Sequence, residues 1–206
     1  MIMNPKCPKL FKTIMSRSSP WNEYLKSRKC HPGPGKRMLK ELLEEKQAIQ
    51  YGEFTLTSGA KSSYYVNIKM AYTYPEVLKV IAVELSKYVE GYDKVAGMEL
   101  GAVPIAVALS LETGLPFVMI RKEKRVHGTG SLIEGALDPG DRVLIVEDVV
   151  TSGGSTIKSV EALREAGAKV DTAVVVVDRE EGGAEALNAL EVRLKACITA
   201  SQLKSG

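Results

Sequence analysis

The sequence predicts an α/β domain on a doubly wound, mainly parallel sheet. From residue 38 onward, short apolar strands alternate with segments of helical periodicity, the pattern of repeated βαβ units. Val143 to Val146 and Val174 to Val177 are apolar without interruption, as parallel strands covered on both faces must be. Turns of glycine, hydroxyl and charged residues follow several strands, where open sheets of this class place their ligands.

The elements follow in order. Leu39, Leu42, Leu43, Ala48 and Ile49 recur at helical spacing, so a helix is expected from Met38 to Ile49, stopped by Gly52. Phe54 to Lys69 reads as two strands around a turn at Ser58 to Lys61. Pro75 is suited to a helix start, and Val77, Val80, Ile81 and Leu85 carry one face through about Tyr88. Strands are then expected at Lys94 to Met98, Pro116 to Ile120, Arg142 to Val146, Val170 to Val177 and Val192 to Ile198. Helices are expected at Ala102 to Leu111, Thr156 to Glu165 and Gly183 to Leu190. A polar loop spans Arg121 to Gly130. Residues 38–74 make a small hood and 75–206 the core.

Residues 1–37 differ in kind. They hold five of the nine prolines and nine Lys or Arg against one acid, a net of +8, which leaves 19 basic and 24 acidic residues elsewhere, a net of −5. This segment reads as a basic extension, either disordered or upstream of a true start at Met38. The overall charge of +3 therefore does not mark the main domain as a binder of nucleic acid, and none is expected. No run of 18 apolar residues occurs, and no membrane span is expected. Cys7, Cys30 and Cys197 have no metal-ligand spacing and suggest no disulfide framework, which fits a reducing cytoplasm.

The segment richest in chemistry runs from Val143 to Thr156. An apolar strand leads into Glu147 and Asp148, then Val149, Val150, Thr151, Ser152, Gly153, Gly154, Ser155 and Thr156 enter a helix. Backbone N–H groups of such a turn, with a helix N-terminus behind them, form an anion site. The lysine of a Walker loop is missing, and Gly128 to Gly130 lacks the third glycine of a dinucleotide fingerprint, where Ile133 stands. A monophosphate in the turn, with adjacent hydroxyls of a sugar on the two acids, fits these residues. A plain strand, turn and helix capped by Thr151 or Ser152 is the simpler reading. Two acids directly before the turn weigh against it.

This segment resembles the phosphoribosyl diphosphate motif of type I phosphoribosyltransferases. The resemblance implies that Glu147 and Asp148 hold the ribose hydroxyls and that residues 149–155 hold the 5′-phosphate. The turn from Gly97 to Pro104 resembles the family's pyrophosphate-binding turn, which approaches the diphosphate through Mg²⁺. The cofactor implied is thus Mg²⁺ carried by the diphosphate, with no direct protein ligand.

Other segments narrow the resemblance to orotate phosphoribosyltransferases. Arg121, Lys122, Lys124, Arg125 and His127 form a charged loop like the catalytic loop that reaches across a dimer in that family. Its cations would stabilise the departing pyrophosphate. The family's catalytic lysine falls on Arg125, with Lys124 one place earlier. Arginine keeps the charge but does not release a proton at ordinary pH, so Arg125 acts electrostatically or Lys124 substitutes. His127 is a further hydrogen-bond or proton donor. The hairpin carrying Tyr64 and Tyr65 resembles the family's hood over the pyrimidine, with Thr57 where some relatives carry a lysine. Arg179 and Thr151 fall where the family contacts orotate; a guanidinium grips a carboxylate at two points.

The resemblance covers roughly residues 38–203. It implies a homodimeric enzyme that joins orotate to the ribose of phosphoribosyl diphosphate during UMP synthesis. The chain leaves no room for a second catalytic domain, so a monofunctional form is expected. A purine phosphoribosyltransferase and a nucleic-acid-binding regulator of the same fold are the alternatives.

Overall fold

The computed structural model describes residues 36–55, 61–123 and 131–204. The extension up to residue 35, the hairpin tip at 56–60 and the loop at 124–130 lie outside the described residues.

Helix α1 (Lys36–Glu45) opens the described chain. It ends before the sequence reading expected, because Gln47 takes a left-handed conformation (φ 54°). Ala48 N then closes back on Leu43 O at 2.8 Å, a helix stop usually signalled by glycine. Ile49, expected at the helix end, instead opens strand β1 (Ile49–Thr55), which pairs antiparallel with β2 (Lys61–Val66). The short helix α2 (Ile68–Ala71) follows, capped by Asn67, whose side chain accepts from Met70 N at 3.2 Å. Helix α3 (Pro75–Leu85) runs on into a 3₁₀ turn at Ser86–Tyr88.

The core sheet contains β3 (Lys94–Met98), β4 (Phe117–Ile120), β5 (Ile133–Glu134), β6 (Val143–Val150), β7 (Thr172–Asp178) and β8 (Arg193–Thr199), in the order β5-β4-β3-β6-β7-β8. All neighbours are parallel except the edge pair β4–β5. Helices α4 (Val103–Thr113), α5 (Gly154–Glu165) and α6 (Gly183–Asn188) make the crossovers, and α7 (Ala200–Lys204) closes the chain. From β3 the chain winds outward through β4; from β6 it winds the other way through β7 and β8. The reversal opens a crevice at the carboxyl ends of β3 and β6, the position at which such sheets bind ligands.

Strand alternation divides the core. Leu144, Val146, Val174 and Val176 face the hood, α3 and α4, whereas Val143, Ile145 and Ala173 face α5 and α6. Leu39, Ile49, Tyr64 and Ile68 of the hood share one apolar cluster with the sheet and with Leu203 of α7. Among the described residues no helix is long and apolar enough to cross a membrane.

Candidate active site

Strand β6 runs to Val150, beyond the expected end at Val146. Glu147, Val149 and Val150 still pair with Val175, Val177 and Asp178 of β7, so the acids lie within the strand and the turn begins at Thr151. Strand alternation sends their side chains to opposite faces. Glu147 accepts from Asp148 N at 3.1 Å and from Ser155 Oγ at 3.3 Å, on the α5 side. Asp148 accepts from Val149 N at 2.8 Å, and its Oδ2 lies 3.9 Å from Lys69 Nζ of α2. Both acids are buried. Burial, reinforced by the adjacent Asp148 charge, pushes the Glu147 carboxyl up to about 8. The same two charges, after burial itself, raise the phenol of buried Tyr72.

Gly153, at φ 83°, caps α5, and no side chain covers the cap. The simpler expectation of a Thr151 or Ser152 cap is therefore not met. Thr151, Ser152, Gly154 and Ser155 are exposed around the first turn of α5, so the turn presents hydroxyls and backbone N–H groups to the crevice mouth.

Across the crevice, the turn after β3 packs against the acids. A Cβ on Gly101 would collide with the Asp148 carboxylate, so the backbone of this turn approaches Asp148 as only glycine allows. Glu99 Oε1 accepts from Lys122 N at 2.7 Å, tying this turn to the root of the basic loop. Arg121 pairs with Glu134 of β5 at 3.6 Å, and Lys122 is exposed. Lys124, Arg125 and His127 lie outside the described residues.

Arg179 and Tyr64, two of the residues expected at the base, come together at the end of β7. Arg179 N donates to Val150 O at 2.9 Å, which sets Arg179 beside Thr151. Its guanidinium stacks 4.7 Å from the ring centroid of Tyr64 and pairs with Glu181 at 3.2 Å. The Arg179 side chain is only 8% exposed, and its Nε is buried with no hydrogen-bond partner. Tyr65 points to the other face of the hairpin, 42% exposed, against Phe54. Tyr64 and Arg179 are thus brought together, and Tyr65 is not part of that stack.

The sequence reading passed over Lys69, Tyr72 and Glu99. Lys69 closes the expected hairpin and Tyr72 lies three residues beyond it, where the chain instead forms a short helix and its C-cap that apolar periodicity does not reveal. Asn67, a cap residue, was the available signal.

Comparison with known proteins identifies the family. The phosphoribosyl transferase domain family matches residues 70–202. A curated orotate phosphoribosyltransferase of Pyrococcus abyssi is 51% identical over 172 residues, covering 82% of this chain and 94% of the relative. The chain belongs to the orotate phosphoribosyltransferase family. Among solved members of that family, the crystal structure from Aeropyrum pernix superposes with a TM-score of 0.73 at 35% identity, covering 81% of this chain and 96% of that one. The Mycobacterium tuberculosis orotate phosphoribosyltransferase in complex with 5-phospho-α-D-ribosyl 1-diphosphate superposes with a TM-score of 0.67 at 32% identity, covering 81% and 98% of the two chains. The fold class is that of the type I phosphoribosyltransferases.

Proposed function

We propose that the crevice between β3 and β6 transfers the phosphoribosyl group of phosphoribosyl diphosphate to orotate, giving orotidine 5′-monophosphate and pyrophosphate. Membership of the orotate phosphoribosyltransferase family carries the reaction and its place in pyrimidine biosynthesis. The assignment of residues rests chiefly on one observation. Arg179, Thr151 and the acids of β6 meet at a single strand end, through the bond from Arg179 N to Val150 O.

In this reading the first turn of α5 holds the 5′-phosphate. Glu147 and Asp148 accept from the ribose hydroxyls, Asp148 through Oδ2, since its Oδ1 accepts from Val149 N. Arg179 holds the orotate carboxylate at two points, its guanidinium steadied by the Tyr64 ring. Ionised orotate attacks the anomeric carbon as pyrophosphate leaves, so the protein's task is orientation and charge stabilisation. Lys122, with Lys124, Arg125 and His127, would stabilise the departing pyrophosphate. The residues also fit Mg²⁺ carried by the diphosphate. Glu147 and Asp148 are adjacent buried acids, and burial first and the Asp148 charge second raise Glu147, so a cation carried past them on the diphosphate, without a direct protein ligand, would be favoured. Bound there, the ion would neutralise charge on the leaving group.

We also assign a homodimer and a cytoplasmic location. The dimer is supported by α4, an apolar helix whose outward face includes half-exposed Val103 and Val107 and Leu111 at 82% exposure. The loop at 121–130 would then serve the neighbouring site. Mixing Asp148→Asn with Arg125→Ala subunits tests this: restored turnover is expected, and none from the mixture counts against a shared loop.

The primary test is pyrophosphate release with orotate, adenine or xanthine in the presence of phosphoribosyl diphosphate and Mg²⁺. Turnover with orotate alone is expected. Turnover with a purine and not with orotate overturns the assignment.

A further inference from the structure

We infer that Glu180 is a positioning residue for base recognition, one that fixes the Arg179 turn by latching it to the C-terminal helix α7. The inference rests on the reading of Arg179 as the orotate-carboxylate group. The Glu180 carboxylate reaches Ser201 of α7. Its Oε2 accepts from Ser201 N at 2.7 Å and from Ser201 Oγ at 2.6 Å.

The backbone at Glu180 shows why a latch is needed. Its φ is 55°, a left-handed conformation that a glutamate adopts only when its surroundings impose it. Two contacts impose it here. Glu180 N donates to Asp178 Oδ1 at 2.9 Å, and the carboxylate is pinned to Ser201. The strained residue directly follows Arg179, so the latch sets the direction in which the guanidinium leaves the strand end. A two-point grip on a carboxylate tolerates little angular error.

Helix α7 is itself anchored on both sides. It has five residues, too few to persist alone. Thr199 and Gln202 close a reciprocal capping box, with Gln202 N donating to Thr199 Oγ1 at 3.3 Å and Thr199 N to Gln202 Oε1 at 3.0 Å. Leu203 is buried in the core. Lys40 Nζ donates to Gln202 O at 3.1 Å, and Tyr51 Oη to Leu203 O at 3.1 Å. These last two contacts join α7 to the hood, whose Tyr64 underlies Arg179. The guanidinium is thus fixed from its own turn through Glu180 and from its stacking partner through the hood, and both lines end on α7.

The test is steady-state kinetics on Glu180→Ala, Glu180→Gln, Glu180→Gly, Ser201→Ala and Arg179→Ala in the full chain. Glu180→Ala should raise the orotate KM about tenfold, less than the roughly 10²-fold cost of a full ångström's misplacement. Its KM for phosphoribosyl diphosphate and its kcat at saturating orotate should stay within about twofold, since the α5 turn is untouched. Glu180→Gln keeps an acceptor oxygen and should recover most of the loss. Ser201→Ala removes one of two donors and should give a smaller rise, and it keeps the proposal testable if Glu180 variants fold poorly. Glu180→Gly relaxes the backbone but removes the latch. Wild-type orotate KM in that variant, or equal rises for both substrates in Glu180→Ala, overturns the proposal. An unchanged orotate KM in Arg179→Ala overturns the base reading and this inference with it. A raised KM in Arg179→Ala beside unchanged Glu180 and Ser201 variants overturns this inference alone.

Discussion

At the amino ends of the strands, Lys94 pairs with Asp141 at 2.7 Å, and Asp171 gathers Arg142 at 3.2 Å, Arg193 at 3.8 Å and the Tyr92 hydroxyl at 2.5 Å. At the carboxyl ends, Glu147 and Asp148 sit side by side, and Lys69 pairs with Asp148 at 3.9 Å. Titration behaviour separates the two ends. Hydrogen bonding from Lys94 holds Asp141 below the usual carboxylate range, and hydrogen bonding from Tyr92 does the same for Asp171. Hydrogen bonding to Asp141 raises Lys94. At the other end, burial and a like neighbour push Glu147 up to about 8. One end satisfies its charges and stabilises the fold. The other crowds two buried acids so that one of them keeps its proton, the kind of perturbation that marks candidate functional sites.

Substitutions at the two ends should therefore separate activity from stability. The largest effect is expected at the carboxyl end. Asp148→Asn should lower kcat/KM by about 10²–10³, the scale of losing one aimed polar group, while melting no earlier than wild type. A large fall in melting temperature would make Asp148 a structural acid and erase the contrast. The amino end should answer in reverse. Lys94→Met leaves Asp141 without its main partner and should lower the melting temperature, with kcat unchanged. Thermal melts and assays on the same preparations check both.

A smaller effect is expected where the crevice walls meet. Gly101→Ala forces a methyl group onto the Asp148 carboxylate. Displacing that carboxylate should reduce turnover about tenfold. Wild-type activity would mean that the turn can retreat without disturbing the acid.

The contrast was only half legible in the sequence. The apolar runs of β6 and β7 and the Glu147, Asp148, Gly153 and Gly154 pattern stand in consecutive residues, so reading them requires only strand and helix periodicity. The strand's continuation to Val150 was not legible, because pairing with β7 decides where β6 stops. The helix end at Gln47 was missed because a glutamine there takes the conformation usually given to glycine. Helix α7 had a written signal in Thr199 and Gln202, the two ends of a capping box, but five residues are too short for a periodic pattern. The neutralised end joins Asp93, Arg142, Asp171 and Arg193, which come from four separate parts of the chain. Nothing local announces such a cluster. Only the parallel register, which aligns Lys94 with Val143 and Thr172 with Arg193, brings it together.

The same comparison predicts opposite pH responses. Glu147 has its native carboxyl raised from 4.5 to about 8. Between those values the native state keeps a proton that the unfolded chain has released. Stability from this group therefore falls as pH rises through that window, by up to about 1 kcal/mol per pH unit. Taking the unliganded protein from pH 8 to pH 7 should raise Tm by roughly 2–4 °C, and Glu147→Gln should abolish the rise. Asp141 and Asp171 are lowered, so they act with the other sign: their contribution is present above the ordinary aspartate range and is lost as pH falls through it. Melts of wild type, Glu147→Gln and Asp171→Asn across pH separate the two. If Glu147→Gln leaves the neutral-pH slope untouched, the carboxyl end is not holding its acid protonated. Equal slopes in all three proteins would mean that the two ends of the sheet do not differ in the way their charges are held.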